Sequence, residues 1–271
     1  MVKFQFLLLI NEPMYSEMAV YNAIKLARIY NAEISIMYVV DSDAFKEEEI
    51  KTQTEMGYIL VDKYKHFCEK NMVSIKNANV IIGTSEIIKI QKEIDASLII
   101  LGVPKNKLGS IAEKVVKDIR CHVLIAREKT AGDEPYDNIL VPVDGSEDAE
   151  YAARFAASIA HRSMSKLTVC HIIHDQKKMP EGKAIIKKVI ENVKSKGLKV
   201  ESFIREGKIA EEILKAIDEK KYDLTVIGYT GRGRVSKLIL GSVSEKVIHS
   251  ASCSVFVVKS QRTERVYTVQ K

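Results

Sequence analysis

No apolar run in this sequence is long enough to cross a bilayer: the hydrophobic stretches are about 5–8 residues, against the roughly 18 that a membrane helix needs. No secretory leader is expected either. The opening MVKFQFLLLINEP carries one lysine and a brief apolar run but no small-residue cleavage site, so it reads as a buried strand and places the chain in the cytoplasm. Cys68, Cys121, Cys170 and Cys253 stand singly with no CxxC pair, which argues for buried free thiols rather than a disulfide scaffold. The charge of +6 is modest for 271 residues and is mixed with acids, as in EEEIKTQTE, so the concentrated basic face of a nucleic-acid groove is lacking. Glycine is sparse at 13 residues, yet four fall in GYTGRGRVSKLILGS, Gly228 to Ser242.

What the chain does contain is a normal hydrophobic share of 46 %, enough for two ordinary cores, and a sequence written twice. FQFLLLINEPMYSEMAVYNAIKLARIYNAEISIMYVVD parallels YDNILVPVDGSEDAEYAARFAASIAHRSMSKLTVCHIIHD, SLIILGV answers DLTVIGY, and LGSIAEKVVKDIRCHVLIARE answers LGSVSEKVIHSASCSVFVVKS. Gly228 lies 126 positions after Gly102 and Gly241 lies 132 after Gly109, so the loop between these glycines is six residues shorter in the first copy. The polar EKTAGDEPYDN between the copies reads as a linker and divides the chain into domains 1–131 and 132–271 near Ala131.

Each copy alternates apolar runs with amphipathic segments. In the second, strands are expected at 138–143, 166–173, 198–203, 224–228 and 254–259, and helices around 149–160, 183–195, 209–219 and 242–249. Runs such as ILVPV and LTVIG are nearly all apolar, as in parallel strands covered on both faces. The pattern predicts two tandem doubly wound, Rossmann-like α/β domains, whose ligands bind beyond the carboxyl ends of the strands where strand order reverses. The β-branched last strands VLIAR and VFVVK would be exposed edges if unpaired, which predicts that the two domains pack through them as an internal pseudo-dimer.

A glycine-rich loop that follows a strand and runs into a helix is physically an anion site, because unpaired N–H groups and the positive helix end face the ligand. Arg232, Arg234 and Lys237 add cations within that loop. Neither familiar phosphate motif fits: Arg234 and Val235 stand where a Walker loop needs Lys and Ser/Thr, and Ser236 replaces the third glycine of GxGxxG. The plainer alternative is that the glycines only make turns and that Ser242 with Glu245, like Ser110 with Glu113, forms a capping box. The extra loop with Gly231, which the first copy folds without, favours phosphate binding.

Gly-x2-Gly-x9-Gly-Ser/Thr after the fourth strand, with an Asp ending the first, resembles the nucleotide-binding class of universal stress proteins, and the resemblance covers both copies. It implies that Pro142, Val143 and Asp144 line the base and ribose, with Ile172 on the adenine face and Ile227 and Gly228 offering backbone contacts. It further implies that Gly231, Arg232, Gly241, Ser242, Val243 and Ser244 surround the phosphates of ATP or AMP, with or without Mg. Asp144 has an independent rationale, since a carboxylate at a strand end accepts from both ribose hydroxyls; the alternative is that Asp144-Gly145-Ser146 is simply a turn. The first copy departs from the pattern, with Asn11 in the place of Asp144 and Lys105 near that of Gly231. One nucleotide per chain, in the second copy, is therefore expected.

His171 and His174 lie three apart on a strand, pointing to opposite faces, and make a poor metal pair. His249 and Ser252 lack a third catalytic partner, and 56–68 is a long helical pattern suited to core or interface. Three functions stay open. One is a nucleotide-binding regulatory stress protein with little or no turnover, acting on an unidentified protein partner, with no nucleic acid or membrane involved and a further homodimer left undetermined. The second is a slow hydrolase or nucleotidyl-transfer enzyme with Asp144 on magnesium and Arg232 or Arg234 on the transferred phosphoryl. The third is a nucleotide-free interaction module.

Overall fold

The computed structural model describes residues 4–104, 107–127, 136–194, 198–231 and 240–259. Contacts divide the chain into two compact units, one for each sequence copy. The expected boundary at Ala131 lies outside the described residues.

In the first unit the order is β1 (Gln5–Ile10), α1 (Pro13–Tyr30), β2 (Glu33–Val40), α2 (Glu47–Lys70), β3 (Ile75–Ile82), α3 (Ser85–Glu93), β4 (Leu98–Gly102), α4 (Ser110–Asp118) and β5 (His122–Ala126). Its strands are all parallel in the order β3-β2-β1-β4-β5. The second unit repeats the plan with β6 (Asn138–Pro142), α5 (Glu147–Ser163), β7 (Lys166–Ile173), a short 3-10 turn (Gln176–Lys178), α6 (Met179–Val193), β8 (Val200–Glu206), α7 (Ile209–Lys220), β9 (Leu224–Gly228), α8 (Ser242–Ser250) and β10 (Ser254–Val258). The strand order is β8-β7-β6-β9-β10, again all parallel. Each unit is thus a doubly wound α/β domain.

The composition of each strand follows its place. Every residue of β4, β5, β9 and β10 is buried, whereas β3 and β8, at the far end of each order, carry exposed polar residues such as Lys76, Asn79, Glu201 and Glu206. Helix α5 approaches the sheet closely because it presents Ala152, Ala153, Ala156 and Ala160, all fully buried. That approach brings Phe155 to a ring-centroid distance of 4.5 Å from Phe256 of β10. Among the described residues no helix is long and apolar enough to cross a membrane.

Three local expectations are corrected. β8 runs over Val200–Glu206 rather than 198–203, because its pairing with β7 continues from Leu167↔Val200 to Ile173↔Glu206 and draws charged residues into an edge strand. α6 begins at Met179, four residues early, with Pro180 in its first turn, where the missing N–H costs nothing; its expected end at Ser195 lies outside the described residues. Neither capping box forms. Gly241 and Gly109 are the N-caps, so Ser242 and Ser110 sit one position inside their helices, too far along to cap them, and Ser110 Oγ instead donates to Asp41 Oδ2 at 2.7 Å.

Phe256→Ala removes a fully buried ring from the second unit's core and is expected to destabilise that unit by about 3–5 kcal/mol, measured as a lower denaturant midpoint for the full chain.

Candidate functional site

The second unit's strand order reverses between β6 and β9: the chain winds outward from β6 through β7 and β8, then returns to the other side of β6 for β9 and β10. At this switch point the two central strands separate. Only Ile139↔Leu224 and Leu140↔Thr225 pair between them, whereas β6 stays paired with β7 as far as Pro142↔Cys170 and β9 with β10 as far as Gly228↔Val258. Pro142 has a direct part in this. N–H groups of successive strand residues point to opposite neighbours, and Val143 N–H donates to Cys170 O of β7 at 2.8 Å, so the position before it faces β9 with no N–H to offer. In the first unit Leu9 stands at that place and β1 pairs with β4 on to Leu9↔Leu101.

The separated strand ends open into a cavity of about 370 Å³. Eleven of the twelve residues expected from the sequence line it: Pro142, Val143, Asp144 and Ile172; Ile227, Gly228 and Gly231; and Gly241, Ser242, Val243 and Ser244. The twelfth, Arg232, lies outside the described residues, as do Arg234 and Lys237.

Asp144 takes part in the turn that leads into α5. Its Oδ1 accepts from Ser146 N–H at 2.9 Å, making the turn, and Ser146 Oγ then caps α5 by accepting from Ala149 N–H at 3.2 Å. Its Oδ2 lies toward Gly231, where a Cβ would come within 3.0 Å of that oxygen. Glycine at 231 therefore leaves the carboxylate and the loop backbone side by side. Val143, buried beside Asp144, has its carbonyl fixed by buried His171, whose Nδ1 donates to it at 2.6 Å. His171 is thus tied to the backbone, and among the described residues no group of three or more His, Cys, Asp or Glu is placed to hold a metal.

At the start of α8, Gly241 N–H donates to Tyr229 O at 3.0 Å and Ser244 Oγ to Gly228 O at 2.8 Å, which clamps the helix start against the end of β9. Glu245 N–H makes the first intrahelical bond, to Gly241 O at 2.7 Å. The amides of Ser242, Val243 and Ser244, ahead of that bond, belong to the helix end that carries partial positive charge, and all three residues line the cavity. The arrangement suits a ligand with an apolar body and an anionic end: Ile172, Ile209, Ile213 and Ile227 supply aliphatic surface, while main-chain amides supply donors that need no charged side chain.

Thr230, Ile209, Ile213, Val247, His174, Lys178 and Glu181 also line the cavity and carry no clear site signal in the sequence. The aliphatic ones read from sequence as ordinary inward faces of α7 and α8, and Thr230 as a loop residue; only its place between Gly228 and Gly231 hints at more.

In the first unit the corresponding helix start is engaged from within. Asp41 ends β2 at the position held by His174 in the second copy, and its carboxylate accepts from Ser110 at the start of α4. α1 also lies closer to its strand: a Cβ on Gly102 would fall 1.8 Å from Tyr15 O, while on Gly228 the nearest atom, the carbonyl carbon of Asp148, would be 3.0 Å away.

Two doubly wound units in tandem, one with a crevice at its switch point lined by the start of a helix, define a duplicated α/β protein. The sequence profile of the universal stress protein family matches residues 6–127 and 135–259, and the chain belongs to that family. A universal stress protein of Methanocaldococcus jannaschii is 31 % identical over 149 residues, which cover 49 % of this chain and 88 % of that protein. The crystal structure of a universal stress protein from Archaeoglobus fulgidus shares the fold over 93 % of this chain and 98 % of its own, with a TM-score of 0.74 and 23 % identity. Another structure from Archaeoglobus fulgidus, a universal stress protein in complex with dAMP, is 26 % identical and covers 46 % of this chain and 99 % of its own, with a TM-score of 0.42.

The four cysteines are buried, and Cys170 lines the cavity. Burial pushes the Cys170 and Cys68 thiols up from 9.0 to about 12. Both stay protonated in the folded chain where the unfolded chain ionises, so their contribution to stability is complete below pH 9 and lost as pH rises towards 12. Iodoacetamide at pH 9 is expected to leave Cys170 unmodified in the folded chain and to alkylate it in urea, read by peptide mass spectrometry.

Proposed function

We propose that the second domain, 132–271, binds an adenine nucleotide, ATP or AMP, in the crevice between β6 and β9, and that the protein acts as a nucleotide-responsive regulator rather than a rapid enzyme. The observation that carries this reading is the meeting of the Asp144 carboxylate, Gly231 and the first-turn amides of α8 around one cavity at the switch point. Val143 and Ile172 would bound the base, Asp144 the ribose hydroxyls, and Gly231 with 241–244 the phosphates. Arg232 would add charge from the loop. Family membership supports the same assignment.

Hydrolysis would need a base aimed at a water beside the phosphates, and no residue of the cavity stands in a catalytic pattern in the sequence: Asp144 is assigned to the ribose, and Glu181 pairs with Lys178 at 3.2 Å. Turnover is therefore expected far below the typical enzymatic range of about 1 s⁻¹ or more. The first domain, 1–131, would take no nucleotide at the matching place, because the Asp41 carboxylate already meets the start of α4, where a phosphate would be repelled.

Titration calorimetry with AMP and with ATP tests this. The expected result is one nucleotide per chain, with Asp144→Ala weakening it about ten-fold and Gly231→Val combined with Gly241→Val abolishing it in a chain that keeps its circular dichroism spectrum. Two nucleotides per chain, or unchanged affinity in the double valine variant, would overturn the assignment.

A further inference from the structure

Beside the cavity lies a buried carboxylate that the nucleotide reading does not use. Asp148 occupies the first turn of α5 and is 8 % exposed. It accepts two hydrogen bonds from Thr230, itself buried: one from the backbone N–H at 3.3 Å and one from the hydroxyl Oγ1. Burying a carboxylate is costly unless such donors meet it, so the pair is mutually demanding. Asp148 also forms the wall against which Gly228 rests, a Cβ there falling 3.0 to 3.1 Å from its carbonyl carbon, Cβ and carbonyl oxygen. One residue thus holds the chain at both ends of the step from Gly228 to Thr230.

Four polar main-chain groups of that step have partners. Tyr229 N–H donates to Val258 O at 2.9 Å and Thr230 N–H to Asp148, while the carbonyls of Gly228 and Tyr229 accept from Ser244 Oγ and Gly241 N–H. Among the described residues, Gly231 N–H makes no main-chain hydrogen bond back to the strand end. It sits beside both Asp144 and Gly241, whose Cβ position would lie 3.6 Å from Gly231 N.

The duplicated sequence supplies a comparison within the chain. Gly102 rests on the carbonyl group of Tyr15 as Gly228 rests on that of Asp148, which makes Tyr15 the counterpart of Asp148; counting on from the two glycines makes Pro104 the counterpart of Thr230. Proline has neither the N–H nor the hydroxyl, and tyrosine lacks the carboxylate. Donor and acceptor are lost together in the copy whose helix start is already met by Asp41.

From this we infer that Asp148 is the positioning residue of the second domain's anion cradle: by taking both donors of Thr230 it directs the Gly231 amide toward the phosphate site. It acts through Thr230 and does not touch the ligand. The inference rests on the nucleotide reading above and adds to it a residue outside the family motif.

The test uses the full chain with AMP and ATP in titration calorimetry. Asp148→Ala and Thr230→Val are each expected to weaken binding about 10- to 100-fold, the usual effect of losing a hydrogen bond to a charged group. The double variant should be no weaker than the weaker single, because both break one linkage. Thr230→Ser, which keeps the N–H and the hydroxyl, should recover the affinity lost in Thr230→Val to within about three-fold. Wild-type affinity in Asp148→Ala, fully additive losses, or a Thr230→Ser chain as weak as Thr230→Val would each overturn the inference. Should the wild-type chain bind neither nucleotide, the nucleotide reading fails, and exchange of the Thr230 amide in the ligand-free chain decides the positioning role alone. Slow exchange that accelerates at least about ten-fold in Asp148→Ala, with the Val226 amide unchanged, sustains it; equal exchange in the two chains overturns it.

Discussion

Parallel strands that stop pairing before they end must hand their remaining polar groups to other partners, and the second unit is organised around that requirement. β6 and β9 share only the pairs at Ile139 and Leu140, and beyond them opens a crevice whose walls are two strand ends. The carbonyls at the end of β9 are met by Ser244 Oγ and Gly241 N–H, and the amides by Val258 O and Asp148, so the start of α8 is held against the sheet by the groups that unpaired strands release. Because the helix is fixed in this way, its own unpaired amides face the crevice. Main-chain donors suited to an anion are thereby gathered at the crevice, with few charged side chains needed to place them.

The two copies show how far the surroundings of a switch point can differ within one fold. Both share element order, strand order and glycines at the matching strand ends. Among other positions they differ at Leu9 for Pro142, Tyr15 for Asp148, Asp41 for His174 and Pro104 for Thr230, besides Asn11 for Asp144, Lys105 for Gly231 and the shorter loop. The first allows the central strands to stay paired longer, the second and fourth remove the linkage that steers the loop, and the third sets a carboxylate against the helix start. Leu9 and Pro142 stand near the ends of β1 and β6 and the pairs at Tyr15, Asp41 and Pro104 lie outside the strands, so the two copies keep one fold.

Much of the architecture was legible in the sequence because it depends on local periodicity. Apolar runs such as LTVIG and the amphipathic segments after them mark parallel strands and their covering helices wherever they occur, and the limits of β7 and β9 agree with the apolar runs at 166–173 and 224–228. The cavity-lining residues were reached another way: the glycine loop marks an anion site by its composition, and the family resemblance supplied the remaining positions, which lie at strand ends and a helix start. Edge strand β8 was displaced because a half-exposed strand has a weak apolar signature and takes its limits from its neighbour. The true helix caps were not legible because Ser-x-x-Glu fits a helix beginning one residue earlier just as well, and only the backbone at Gly109 and Gly241 distinguishes the two.

By itself, then, the sequence determined that the chain is duplicated, that each copy alternates strand and helix, and that one copy carries a longer glycine loop, since each of these is written in short-range pattern. Tertiary structure alone decided where the central strands part, that Asp41 meets Ser110, and that Asp148 receives Thr230 from 82 residues further along the chain. Those outcomes depend on which polar groups come within hydrogen-bonding distance once the sheet has closed, and no local pattern records the distance between residues that meet only after folding.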